Sequence, residues 1–140
     1  MLFRSPFVFA LAIAFVTACS TSPPRQNHAS SESLPETVLV TYRVRPGEEQ
    51  KLQATLSRAW DIYWKEGLVF AQPHVIIREK EVGDKHRFVE VFTWVSHHAP
   101  DHASDSVKTI WDQMQSLCET RDGHSGLEGG EVEMLVPAVP

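Results

Sequence analysis

The spacing of hydrophobic residues changes along this chain, and each change marks an element. Val38, Val40, Tyr42 and Val44 alternate with Thr37, Leu39, Thr41 and Arg43, the period of a strand, until Pro46-Gly47 stops it. Leu52, Leu56, Ala59, Trp60 and Tyr63 then recur at helical spacing, which predicts a helix from about Glu48 to Glu66. Glu48 and Glu49 suit the positive end of its dipole, and Gly67 is placed to cap its other end. After Pro73, Val75-Ile76-Ile77 opens a second strand, Gly83-Asp84 makes a turn, and Phe88 to Val95 forms the return strand of a hairpin. Ser96 to Ser104 is a polar loop containing Pro100. Val107, Ile110, Trp111, Met114, Leu117 and Cys118 mark a second amphipathic helix, with Asp101 or Ser104 as its cap and Arg121-Asp122-Gly123 as its end. Gly129-Gly130 reads as a flexible connection. Val132, Met134 and Val136 alternate in a last strand before Pro137.

This order predicts an α+β, ferredoxin-like β-α-β-β-α-β sandwich over residues 37–137, a four-stranded antiparallel sheet with two helices on one face. Strands joined through a helix are nevertheless expected side by side and parallel, with right-handed crossovers. The third strand carries apolar residues on both sides: Phe88, Phe92 and Trp94 on one, Val89, Val91 and Val95 on the other. Helices on a single face leave the second set in water. A homodimer burying that open face resolves this; a bound apolar ligand or a partner protein is the alternative.

The N-terminus carries a different signal. Arg4 precedes an uncharged core from Phe7 to Val16, roughly ten residues and typical of an export signal. A membrane-crossing helix needs about twenty. Val16-Thr17-Ala18-Cys19 resembles a bacterial lipobox, which implies removal of residues 1–18 and acylation of Cys19; an ordinary secretory peptide is the other reading. Residues 19–36 form a Ser/Pro-rich stretch with one large apolar residue, Leu34, and read as a disordered tether. The protein is thus expected outside the cytoplasm, lipid-anchored in the cell envelope, on the outer membrane or the periplasmic face. The chain carries 13 Lys and Arg against 18 Asp and Glu, a net charge of −5 with no basic cluster. That argues against nucleic acid and leaves membrane attachment to the acyl chains of Cys19. With Cys19 acylated, Cys118 has no partner for a disulfide and reads as a buried thiol.

The folded part resembles the dimeric α/β-barrel superfamily, in particular its antibiotic-biosynthesis-monooxygenase-like branch. The resemblance rests on Val40-Thr41-Tyr42-Arg43-Val44-Arg45-Pro46-Gly47-Glu48, on Phe88-Val89-Glu90-Val91-Phe92-Thr93-Trp94 and on Ile110-Trp111-Asp112-Gln113-Met114. It implies two copies pairing their sheets, with a cavity between sheet and helices in each. The branch's cofactor-independent oxygenases use an Asn with Trp residues, and its haem-degrading relatives add a His. Here the sole Asn, Asn27, lies in the tether, while Trp94 is placed to line a cavity and His98 or His102 corresponds loosely to the His.

Read from the residues alone, Glu90 alternates with Phe88 and Phe92 on an apolar strand face. It is expected either to pair with Arg78 or Arg43, or to face the cavity as a base. Tyr42 is placed to face the same cavity, and His74 opens strand two. His97, His102 and Asp101 (or Asp105) form the densest group of metal-ligand types, although Pro100 favours a solvated loop with an Asp cap and no metal is expected. No hydrolase elbow or phosphate-binding loop occurs. Two functions are compatible with these features. One is a non-catalytic module binding a small apolar molecule or a partner. The other is an oxygenase-like or haem-degrading-like enzyme without a tightly held cofactor, with Trp94, Glu90 and Tyr42 in its pocket. An enzyme should hold an open cavity with convergent polar groups, whereas a structural module should fill it with Trp60, Phe92, Trp94 and Trp111. Cys19→Ser is expected to abolish labelling by radioactive fatty acid and to release the protein from the membrane fraction; persistent attachment would contradict the lipobox.

Overall fold

A computed structural model describes residues 34–135. The signal segment, Cys19 and most of the tether lie outside the described residues, as do Val136 and Pro137. The described chain runs β1 (Glu36–Val44), α1 (Glu49–Lys65), β2 (Val69–Lys80), β3 (His86–Trp94), α2 (Asp105–Ser116) and β4 (Leu127–Glu131). The four strands form one sheet in the order β2-β3-β1-β4, and every pairing is antiparallel. This is the ferredoxin-like arrangement, with one correction to the expected neighbours. β1 and β2 are not adjacent, because β3 folds back from the β2–β3 hairpin and inserts between them, and β3 and β4, joined through α2, are likewise separated by β1. The crossover through α1 leaves room for one strand, and the hairpin fills it.

The last strand is a second correction. It is Leu127–Glu131, containing the very Gly129-Gly130 pair that reads as a linker, and Val132 and Met134 lie beyond it. Glycine has little strand preference, but backbone pairing carries this edge: Val40 faces Gly129, Leu39 faces Gly130, and Val132 N–H still donates to Thr37 C=O at 2.9 Å. β2 also begins earlier than expected, at Val69. Its register against β3 shifts between Val69 and His74, the stretch that contains Pro73, which has no N–H to give to a ladder.

Both helices lie on one sheet face. Leu52, Leu56, Ala59 and Tyr63 of α1 are buried, as are Val107, Ile110 and Met114 of α2. The Leu, Val, Ile and Met side chains among them each contribute about 1.5–3 kcal/mol on removal from water. They pack on the even-numbered residues of β1 and β3, among them Val38, Tyr42, Phe88 and Phe92. Ser104 caps α2, its hydroxyl accepting from Val107 N–H at 3.3 Å. Cys118 follows the helix in a buried position, where burial pushes its thiol up to about 11.

Arg121, read from sequence as part of a helix stop, turns out to be a buried clamp. Its guanidinium donates to Val44 C=O at 2.6 Å, His86 C=O at 3.2 Å and Glu119 Oε1 at 3.0 Å, and it pairs with Glu81. These bonds tie β1, the β2–β3 hairpin and the segment after α2 together at one end of the sheet.

The opposite sheet face carries no helix. Register places Leu39, Val91 and Val75 in one row across β1, β3 and β2, and Thr41, Val89 and Ile77 in the next. Val75 and Ile77 are 44% and 53% exposed. The described chain thus has a bare sheet surface rich in β-branched apolar side chains.

Candidate functional site

A cavity of about 480 Å³ opens between the sheet and α2. Two columns of side chains, set by the two-residue strand period, form its floor. Glu36, Val38, Val40 and Tyr42 descend along β1, and Glu131, Gly129 and Leu127 run beside them on β4. Gly129 is part of the reason the space exists. A Cβ built there would meet only Val40 Cγ2, at 3.7 Å, so an absent side chain leaves the volume open. Trp111, Met114 and the polar Asp112 and Gln115 of α2 face the floor, and Tyr63, Phe92 and Trp94 make the inner wall.

The aromatic wall is held by ring contacts. Trp94 meets Phe92 at 4.8 Å and Tyr63 at 5.2 Å between centroids, and meets Trp111 edge-on at 6.4 Å. Trp94 is therefore core and cavity lining at once. Trp111 Nε1 donates to Tyr63 Oη at 2.6 Å, which joins α2 to α1 across the end of the cavity. That bond occupies an acceptor site on Tyr63 and leaves its own hydroxyl hydrogen for a group in the cavity. Burial raises the Tyr63 phenol well above its ordinary value, so it remains a donor.

Tyr42 has the opposite polarity. Its hydroxyl donates to Glu90 Oε2 at 2.8 Å, and its oxygen keeps a lone pair for an incoming donor. Burial first, and then the Glu90 carboxyl, push this phenol far above the usual range, so it too stays protonated. Glu90 itself is only 2% exposed and sits behind Tyr42, outside the cavity lining. Its other oxygen lies 3.0 Å from His74 Nε2, and the His74 ring stacks on Trp60 at 3.5 Å and 11°.

Register explains this trio. Glu90 is directly opposite Val40 on β1 and Ile76 on β2; Tyr42 and His74 are its diagonal neighbours on the same face. The expected arginine partners lie elsewhere. Arg43 points to the other sheet face and donates to Glu128 at 2.9 Å and Ser125 C=O at 2.7 Å, while Arg78 is exposed. Trp60, expected among the residues filling a closed cavity, lies instead on His74, outside the lining.

The histidine-rich loop stands apart. His97 Nδ1 is 3.0 Å from Glu36 Oε2, and His98 Nδ1 is 3.3 Å from Asp101 Oδ2. His98 and His102 are linked through the backbone, with rings 6.1 Å apart. Among the described residues no three His, Cys, Asp or Glu side chains converge as metal ligands. Neither the Trp60–His74 stack nor the Trp111–Tyr63 bond left a signal in the sequence, since each joins residues that only the tertiary packing brings together.

Tyr42→Phe removes the donor to a buried carboxyl oxygen and is expected to cost about 1–3 kcal/mol in urea denaturation. Unchanged stability would mean that Glu90 is satisfied without the phenol.

No family model matches the chain, and no curated protein matches it. Solved structures do. The chain superposes on SnoaB, a cofactor-independent oxygenase from Streptomyces nogalater, with a TM-score of 0.55 at 16% identity, covering 74% of this chain and 96% of that one. A putative antibiotic biosynthesis monooxygenase from Bacteroides thetaiotaomicron gives a TM-score of 0.53 at 14% identity, over 79% and 98% of the two chains. A conserved protein from Methanosarcina mazei Go1 gives 0.53 at 14% identity, over 73% and 94%. At these identities the likeness is one of fold, and the described chain has the ferredoxin-like fold of these monooxygenase-like proteins.

Proposed function

We propose that this domain binds a small, largely apolar molecule in the cavity between α2 and the β1–β4 floor, without transforming it. The observation that carries binding is an open cavity where a purely structural domain would be filled, and the same opening is what the enzyme reading expects. Phe92, Trp94 and Trp111 line about 480 Å³ rather than close it. Its inner polar groups are the phenols of Tyr42, held by Glu90 outside the cavity, and of Tyr63, held by Trp111 in its wall. One offers an acceptor and the other a donor, which suits recognition of a hydroxyl or carbonyl on an apolar body.

In this proposal the domain is exported and held at the cell envelope through acylated Cys19. A second copy covers the bare sheet face. The exposed apolar rows centred on Val91 and Val89 support that pairing, since water is a poor neighbour for so many β-branched side chains on one surface.

A second reading, a cofactor-independent oxygenase for a small aromatic substrate, draws support from the fold shared with SnoaB. The residues that support it here are Trp94 and Tyr42 in the lining and Glu90 behind Tyr42. The Asn implied by the resemblance has no counterpart among the described residues.

Titration of the mature protein carrying Cys19→Ser with 1-naphthol, followed by tryptophan fluorescence, is expected to show one saturable site. Gly129→Val should fill the cavity, keep the fold and weaken binding by about tenfold or more, because the new methyls occupy ligand space. Naphthol recovered unchanged with no oxygen consumed fits the binding reading; oxygen consumption lost in the same variant would favour the enzyme. Equal binding by both proteins would place the ligand elsewhere.

A further inference from the structure

The charge of the cavity is one-sided. Its charged lining residues are Glu36, Asp112 and Glu131, and no Lys, Arg or His is among them. They come from three elements: Glu36 of β1 and Glu131 of β4 stand together at one end of the floor, and Asp112 lies on α2. Asp112 and Glu131 are exposed, and Glu36 is partly so. The two strand columns run from Glu36 and Glu131 down to Tyr42 and Leu127, so carboxylates stand at one end and the buried phenol at the other. Between them lie the aromatic faces and edges of Tyr63, Phe92, Trp94 and Trp111. His97, which pairs with Glu36 from outside the lining, is the nearby group that can offset one of these charges.

We propose that the ligand class is an organic cation, an ammonium group carried on an apolar or aromatic body. This rests on the cavity being a binding site, and it specifies the chemistry of that site. Aromatic rings attract cations through their negative faces, most strongly where water is excluded, and carboxylates at the opening raise the local concentration of positive solutes. Tyr42 adds to the preference: its hydrogen is committed to Glu90, so it meets the ligand with oxygen lone pairs, which favour a positive centre. An anionic ligand would meet three carboxylates, one of them paired with His97 from outside the lining, and no base within it. A neutral hydrocarbon would gain from the apolar surface alone.

The test compares three probes of similar shape on the mature Cys19→Ser protein: phenyltrimethylammonium, tert-butylbenzene and benzenesulfonate. Binding is read from tryptophan fluorescence at low salt and at roughly 0.5 M salt. Phenyltrimethylammonium is expected to bind about tenfold more tightly than tert-butylbenzene, with benzenesulfonate weakest. Added salt should shrink the advantage, and so should the triple variant Glu36→Gln, Asp112→Asn, Glu131→Gln, while tert-butylbenzene binding stays the same in both. Equal or tighter binding of the neutral or anionic probe overturns the cation assignment and leaves the cavity as a site for apolar molecules. If the ammonium probe fails while 1-naphthol binds, the assignment is likewise overturned. If 1-naphthol also fails, the binding function itself falls.

Discussion

Two helices can cover only one face of a four-stranded sheet, and the consequences of that one-sided cover run through this molecule. On the covered face, α1 and α2 press onto the even-numbered residues of β1 and β3 and make a single core. Toward β4 the floor thins, because Gly129 carries no side chain to meet α2, and the gap remains as a cavity. On the uncovered face, β-branched residues meet solvent in rows. Core, cavity and candidate interface all follow from where helix cover begins and ends.

Glu90 is the most deeply buried of the charged-type side chains in this core. An unpaired carboxylate there would be expelled or neutralised. The fold gives each oxygen a partner from a different neighbouring strand, Tyr42 on β1 and His74 on β2, and holds His74 by stacking it on Trp60 of α1. That arrangement demands the observed register, since a slip by one residue would send Tyr42 to the open face. It also fixes the rotamer of Tyr42, and with it the lone pairs presented to the cavity. In the proposed binding role, a structural requirement and a recognition element are the same hydrogen bond.

How much of this could be read from the chain depended on the range of the interaction. The helices and the first three strands were legible because their apolar spacing is local and strong: Leu52, Leu56 and Tyr63 sit one and two turns apart, and Phe88, Phe92 and Trp94 share one strand face. Phe88, Phe92 and Trp94 on one face of β3 and Val89 and Val91 on the other were read correctly, and with them the bare surface, whereas Val95 lies beyond the strand and packs against the core. β4 was missed because Gly129 and Gly130 carry no pattern; only their pairing with Val40 and Leu39 makes them a strand. The position of β3 between β1 and β2 was missed because hairpin insertion is a topological choice that no local spacing encodes. Within the site, Tyr42 and Trp94 could be placed toward a cavity from strand period alone. The partners of Glu90 could not, since diagonal neighbours require the register, and nearby arginines looked better matched by charge.

The likeness to monooxygenase-like structures concerns the scaffold, and a scaffold of this kind hosts unrelated chemistry. The functional weight here rests on features particular to this chain: the glycine-lined floor, the oppositely disposed phenols and the carboxylates around the opening. The central proposal is that the apolar sheet surface left by helix cover on one face is covered by a second copy. Sedimentation equilibrium of the mature Cys19→Ser protein, with and without Val91→Lys in the middle of the Leu39–Val91–Val75 row, tests it most directly. A dimer that becomes a folded monomer in the lysine variant is the expected result. A parent protein that sediments as a monomer at micromolar concentration would contradict the claim.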